Sequence, residues 1–309
     1  MDSSVFQETF WAMGTRFSLV IAEGGIGDGA AMAELARRVL RQQEHLLSRF
    51  DPTGPLAGMN AQAGGAAVHP PPSLWKVLLE CREHWLRTRG YFDVTFPPLA
   101  SFWEQTRRHG AKADPRALAA ARSLVGFDQV ELDEGRGTVR FPRPGMGVDL
   151  GGFGKGWALD ILREELIRQG VGCALLSFGE SSVSVIGRHP SGRPWPVGIA
   201  DPDEAGGIVH EFALVDQAVS TSGNTAEGLH RGAVHIIDPS TGLPVDAHRI
   251  VSVKCAAAAE AEALSKALFI LPEERWPEVL VRYPGAETFQ WICPEDAANS
   301  PASGRTRPA

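Results

Sequence analysis

Between Ser220 and Val245 the chain reads Ser-Thr-Ser-Gly and, further on, His235-Ile-Ile-Asp238-Pro-Ser-Thr241-Gly242. Hydroxyls, one imidazole and a carboxylate thus lie among turn glycines and apolar stretches. Such a mixture is costly to bury without partners and useful in a site. Small hydroxyl residues beside glycine let backbone N–H groups approach an anion, and a histidine titrates near neutral pH and moves protons. Phosphate chemistry is the first expectation. His235 is the candidate general base, with Asp238 within reach as a charge partner. A Ser-His-Asp hydrolase is a rival reading, yet no Gly-x-Ser-x-Gly elbow occurs; Gly179-Glu180-Ser181-Ser182 lacks the trailing glycine.

A second group lies at Gly151-Gly-Phe-Gly154-Lys155-Gly156. Entered from a strand and opening a helix, it would cradle a phosphate on backbone N–H groups, with Lys155 adding charge. It is not a Walker loop, because no Ser or Thr follows the lysine, and Trp157 stands where a dinucleotide fingerprint needs glycine. A plain strand-to-helix turn is the competing explanation. Gly90-Tyr-Phe92-Asp93-Val-Thr95 sets a carboxylate and a hydroxyl on one strand face, and Ser48-Arg-Phe-Asp51, with Asn60 downstream, reads as a polar loop after a helix. The nine histidines show no zinc-ligand spacing.

These groups need a scaffold, and periodicity supplies one. Alternation over residues 16–22 predicts a strand, followed by a helix over about 30–47 and another over 73–89, with Ser73 as N-cap and Gly90 past its end. Residues 127–133 and 138–141 read as a hairpin, and 155–168 as a helix. Short strands are expected near Ala174, Val183, Pro196, Ile208, Ala233 and Ile250, then a helix over 257–271 and a strand over 288–293. Many strands on short turns, with few crossovers, predict an α+β fold with antiparallel sheets and packed helices. No Pro/Ser-rich linker divides the chain. A single domain over residues 1–298, with room for two intimately packed subdomains, and a small, polar, disordered tail over 299–309 are expected.

A net charge of -7 argues against a general nucleic-acid or anionic-membrane surface. No segment reads as a membrane span, and the first residues have neither a basic n-region nor an apolar h-region, so the cytoplasm is the expected compartment. Cys81, Cys173, Cys255 and Cys293 lie far apart in apolar runs and read as reduced core thiols.

Taken in order, the segments resemble the ApbE family, the FAD:protein FMN transferases, from about Met13 to Leu271. The matching pieces are Met13-Gly-Thr15, Ser48 with Asn60, Gly90 to Thr95, Asp149-Leu-Gly-Gly152 with Lys155 and Asp160, Ser222-Gly223, and His235 to Gly242. The resemblance implies a T-fold-like internal duplication and protein flavinylation: FAD is bound, its pyrophosphate is cleaved, and FMN passes to a Ser/Thr hydroxyl of an acceptor flavoprotein with release of AMP. It places His235 as catalytic base; Asp238, its charge partner in the sequence reading, and Lys266, a departure from the family pattern, are counted with it as catalytic candidates. Phe92, Asp93, Thr95, Lys155, Gly179 and Ser222 would line the flavin and its phosphates. Met13, Thr15, Ser48, Asn60, Ser177, Glu180, Gly223 and Thr241 complete the implied cofactor-binding set. Two rivals keep the pocket and change the outcome: an FAD-binding protein without transfer, and an FAD pyrophosphatase whose acceptor is water or a small molecule.

The resemblance also implies magnesium, held by the Gly154 carbonyl and by an Asp and a Thr of a later helix. Here the sequence departs, because Ala261-Glu262-Ala-Leu-Ser-Lys266 puts a longer carboxylate and an amine at those places. A divalent ion about 4 Å from an ammonium meets roughly 8 kcal/mol of repulsion at an effective dielectric near 20. Either Lys266 replaces the ion, or it turns away and leaves the ion to Glu262, or the site is degenerate. Ser177-Phe-Gly179-Glu180 is a second departure, in a loop expected to touch the flavin.

Overall fold

The computed structural model describes residues 5–22, 28–110, 112–179, 181–202, 204, 206–223 and 236–292. In chain order these give β1 (Val5–Ala12), β2 (Thr15–Ala22), α1 (Gly29–Leu47), α2 (Pro55–Asn60), α3 (Pro72–Arg87), α4 (Pro97–Arg108) and α5 (Pro115–Ser123). There follow β3 (Glu131–Asp133), β4 (Thr138–Arg140), α6 (Gly154–Arg168), β5 (Ala174–Phe178), β6 (Ser182–Ile186), β7 (Trp195–Ala200), β8 (Ile208–Leu214) and β9 (Ala218–Gly223). The last are β10 (Arg249–Cys255), α7 (Ala258–Ile270), α8 (Pro277–Leu280) and β11 (Glu287–Ile292). The fold is α+β, as the short strands and turns predict. His235, Glu180, Ala233, Cys293 and the 299–309 tail lie outside the described residues.

Seven strands form one sheet in the order β1-β2-β5-β6-β9-β10-β11, with every neighbouring pair antiparallel. Strand β1 was not foreseen because exposed and half-buried side chains alternate along it, so it carries little apolar signal. Its turn into β2 is Met13-Gly14, and both residues have positive φ, 49° and 73°. A two-residue turn of that kind matches the twist of the flanking strands, and it registers Ala12 against Thr15. One face of the sheet packs on α1 and α6 through Phe17, Leu19, Leu40 and Leu159. Val183, Val185 and Val219 meet Trp195, Val197 and Phe212 of the β7–β8 hairpin in a separate cluster.

Helix α7 is buried on nearly every side. It lies against β9 and β10 and against α6, and a helix apolar all round belongs in such a place. Alanines at 258, 259, 261, 263 and 267 keep its girth small. At Gly156 of α6 an added Cβ would stand 2.5 Å from the Ala258 carbonyl oxygen, so only glycine lets the two helices approach this closely.

Two local expectations are corrected. Ser73 is not an N-cap: α3 starts at Pro72 behind Pro71 and has no side-chain cap, since a proline at the first helical position presets φ. Residues 127–129 form a 3₁₀ turn rather than a strand. Cys81 and Cys255 are free, buried thiols, whereas Cys173 is half-buried and donates to the Arg188 carbonyl at 2.8 Å.

Asp160 of α6 accepts from the amides of Ala258 and Ala259 at 2.8 Å each, and so caps α7 from a neighbouring helix. Burial pushes its carboxyl up to about 6 despite these bonds. The folded value lies above the unfolded one of about 3.9. The native state therefore binds this proton more tightly, and the group's contribution falls as pH rises through about 6. Asp160→Ala is expected to cost about 1–2 kcal/mol near neutral pH through loss of the cap. In urea unfolding, the wild type's advantage over that variant should widen as pH is lowered from about 7 toward 4.

Candidate functional site

Four segments that are distant in sequence converge on a cavity of about 320 Å³. Its wall includes Phe92 and Asp93 from the loop after α3, Asp149 and Gly152 from the turn before α6, Ile236 and Ile237, and Lys266 of α7. Of the residues singled out from sequence, Phe92, Asp93, Asp149, Gly152 and Lys266 line it directly. Ile236, the residue after His235, lines it too.

The turn before α6 is fixed on both sides. Asn60 donates from Nδ2 to the Val148 carbonyl at 2.8 Å and accepts from the Val148 amide at 2.9 Å, so one side chain closes on a backbone unit 88 residues away. The Asp149 amide donates to the Val94 carbonyl at 2.8 Å. Its carboxylate accepts from the Gly151 amide at 2.8 Å and from Arg49 Nε at 2.6 Å. The Gly151 amide is therefore already engaged and is no part of a phosphate cradle. Ser48 takes the amides of Phe50 and Asp51 at 3.2 Å and shapes the loop that presents Arg49.

Asp93 and Thr95 brace the neighbouring loop, which Val94 joins to Asp149. The Asp93 carboxylate accepts from Trp85 Nε1 at 3.0 Å, the Thr95 amide at 2.7 Å and hydroxyl at 2.5 Å, and the Phe127 amide at 3.2 Å. Burial raises its pKa while these bonds oppose the rise. Thr95 is 0% exposed, and its hydroxyl also accepts from the Gly126 amide. It supports this loop and does not line the cavity.

On α7, Glu262 is 1% exposed; its Oε1 accepts from the Ser182 hydroxyl at 2.7 Å, and its Oε2 has no partner among the described residues. The Ser265 hydroxyl meets Ser222 at 2.9 Å and Ser220 at 3.3 Å, so Ser222 joins β9 to α7. Lys266 points the other way, across Gly152, where an added Cβ would stand 2.8 Å from its Cε. Burial lowers its pKa above all; Glu262 raises it, and Lys155 lowers it further. Lys155 itself donates to the Ser181 hydroxyl at 2.9 Å.

Other expected positions stand behind this front. A Cβ on Gly154 would lie 3.4 Å from Met13 Cε, and one on Gly179, at φ +52°, would lie 2.7 Å from the Thr15 hydroxyl. Ser177 sits within β5, paired with Ser18 and Val183. Gly223 lets β9 run close to Ile250. Asp238 Oδ1 accepts from the Ser240 amide and hydroxyl, both at 2.7 Å, and Thr241 accepts from the Leu243 amide at 3.2 Å. One oxygen of the Asp238 carboxylate is thus tied into its own turn.

These residues do not fit a divalent ion. Among the described residues no group of three His, Cys, Asp or Glu side chains could hold one. One oxygen of Glu262 is committed to Ser182, and the next turn of the same helix brings an ammonium. Arg49 and Asp149 were missed as a pair because 100 residues separate them; only the Asp-Leu-Gly-Gly pattern pointed to Asp149.

The fold defines an α+β protein with a cavity at a glycine-rich turn that a single lysine enters among Asp93 and Asp149, and comparison with known proteins supplies the family. The ApbE family model matches residues 13–289, and the chain belongs to the ApbE family. It is 32% identical over 286 residues to the FAD:protein FMN transferase of Rhodobacter capsulatus, covering 88% of this chain and 52% of that protein. Against the FAD:protein FMN transferase of Treponema pallidum it is 31% identical over 287 residues, covering 85% and 77%. The chain thus spans about half the length of the first relative. The apo flavinyl transferase ApbE of Pseudomonas stutzeri shares the fold, with a TM-score of 0.82 at 23% identity over 94% of this chain and 92% of that one. The ApbE protein of Thermotoga maritima does so with a TM-score of 0.81 at 23% identity, over 96% and 99%.

Asn60→Asp keeps the acceptor for Val148 N–H and replaces the donor with a second acceptor facing a carbonyl. The expected cost is about 1–3 kcal/mol, measured as a lower urea midpoint in a protein with unchanged secondary structure.

Proposed function

We propose that this chain transfers the FMN moiety of FAD to a Ser/Thr hydroxyl of an acceptor flavoprotein and releases AMP. The observation that carries the reading is the convergence on one cavity of four motif segments: Phe92 with Asp93, Asp149 to Gly152, the residues after His235, and Lys266. The name shared by the relatives, FAD:protein FMN transferase, favours transfer over an inert FAD-binding protein or a pyrophosphatase.

The reaction asks little covalent work of the protein. The acceptor oxygen attacks the phosphorus of the FMN half, the bond from that phosphorus to the bridging oxygen breaks, and AMP departs with the electron pair. The acceptor's proton passes to His235. The remaining requirements are positioning and stabilisation of phosphoryl charge. Asn60, Asp149 and Arg49 hold the turn, Asp93 and Thr95 hold the loop bonded to it, and the apolar Phe92, Ile236 and Ile237 exclude water. Lys155 and Lys266 supply positive charge beside the turn. Among the described residues no helix is long and apolar enough to cross a membrane, in keeping with a reaction on FAD and a protein acceptor.

The test is incubation with FAD and an acceptor flavoprotein domain in magnesium-containing buffer. Covalent addition of FMN to the acceptor, read by intact mass, should accompany stoichiometric AMP. His235→Ala should lower transfer by about 100-fold or more while FAD affinity stays within about threefold. Turnover equal to the wild type would remove the assigned role, and AMP released without acceptor modification would favour the pyrophosphatase.

A further inference from the structure

Resting on the transferase reading, we infer that the Lys266 ammonium is the resident cation of the cavity, contacting the diphosphate of FAD where a divalent ion would otherwise be needed. Three independent observations lead there. The first is the route of the side chain: its stem crosses Gly152, and a Cβ there would lie 2.8 Å from Cε and 3.3 Å from Cδ. The missing side chain at 152 is thus a slot that leads the amine into the cavity wall, in which both residues lie.

The second is what Nζ lacks. Among the described residues its one hydrogen bond runs to the Glu262 carbonyl, and at 3.4 Å that bond is long. An ammonium has three donors. Lys266 is half-buried and lines the cavity, so the donors left over are placed where an anion in the cavity can complete them. Lys155, by contrast, is already held by Ser181 at 2.9 Å, so the two lysines are not equivalent.

The third is the state of Glu262. The helix places this carboxylate one turn from Lys266, its Oε1 is bonded to Ser182, and its buried Oε2 has no other described partner. It opposes the lowering that burial imposes on the neighbouring amine, and it is turned toward the β6 hydroxyl rather than presented as one ligand among several. An FAD diphosphate adds the anion that the ammonium lacks. The site then needs no exchangeable ion, and magnesium has no place beside Lys266.

The experiment titrates FAD into this chain of 309 residues by tryptophan fluorescence in EDTA and in magnesium, and follows acceptor modification under the same two conditions. Manganese alone, monitored by electron paramagnetic resonance, reports whether the chain binds a divalent ion. For the wild type, affinity and transfer should each agree within about twofold between EDTA and magnesium, with no tight manganese site. Lys266→Met, which retains the stem, should weaken FAD by about 10- to 100-fold in both buffers. Lys266→Thr should be equally weak in EDTA and regain affinity with magnesium, along with a manganese signal. Loss of wild-type FAD binding in EDTA, one tight manganese site per wild-type chain, or undiminished affinity in a folded Lys266→Met protein would each overturn the inference. Wild-type transfer that stops only in EDTA would overturn it and leave the transferase reading standing. Absence of transfer in both buffers would instead sink the transferase reading, and the binding titrations would still decide the role of Lys266.

Discussion

The site depends on one packing constraint: α7 must lie buried between the central sheet and α6. Gly156 permits the approach, the alanines of α7 keep the helix narrow, and Asp160 supplies from α6 the two hydrogen bonds that the buried first turn would otherwise lack. An uncapped, buried helix start would leave amides without partners. Once α7 is seated, its polar side chains have fixed destinations. Glu262 and Ser265 meet the hydroxyls of β6 and β9, and Lys266 emerges over Gly152.

Ser220 and Ser222, which read in sequence as hydroxyls suited to an anion, form with Ser182, Ser265 and Glu262 a polar seam that registers α7 on the sheet. All four serines are almost completely buried. A buried hydroxyl without a partner would be costly, so the Ser182–Glu262 bond and the bonds of Ser265 to Ser222 and Ser220 together specify one docking of helix on sheet. The same logic applies to Asp93 and Thr95, whose polar atoms hold the loop that forms the cavity lip. Residue types that suggest chemistry thus divide into a few that face the cavity and a larger set that fixes where those few stand.

That division explains what could be read from the sequence. Long periodic helices such as α1 and α6 were legible, as was the α+β class, because apolar spacing carries them. Strand β1 was not, since its burial alternates between exposed and half-buried residues; α2, α4 and α5 were not, since they are short or lack a buried stripe. The motif segments were legible as an ordered set, yet their internal roles were not. Asn60 could be noted but not matched to Val148, nor Arg49 to Asp149, because such contacts join positions 88 and 100 residues apart. Lys266 was conspicuous as a departure, while its direction became visible only with Gly152 beside it.

A fixed ammonium and a bound ion solve the same electrostatic problem by different means. A divalent ion brings more charge and several ligand positions, but its ligands must stay free to receive it. A lysine brings one charge, permanently attached, and requires only a channel for its stem and a countercharge at a tolerable distance. In this chain the channel is Gly152 and the countercharge is Glu262, one turn away on the same buried helix. The geometry that excludes an ion from this wall is therefore the geometry that holds the lysine in it.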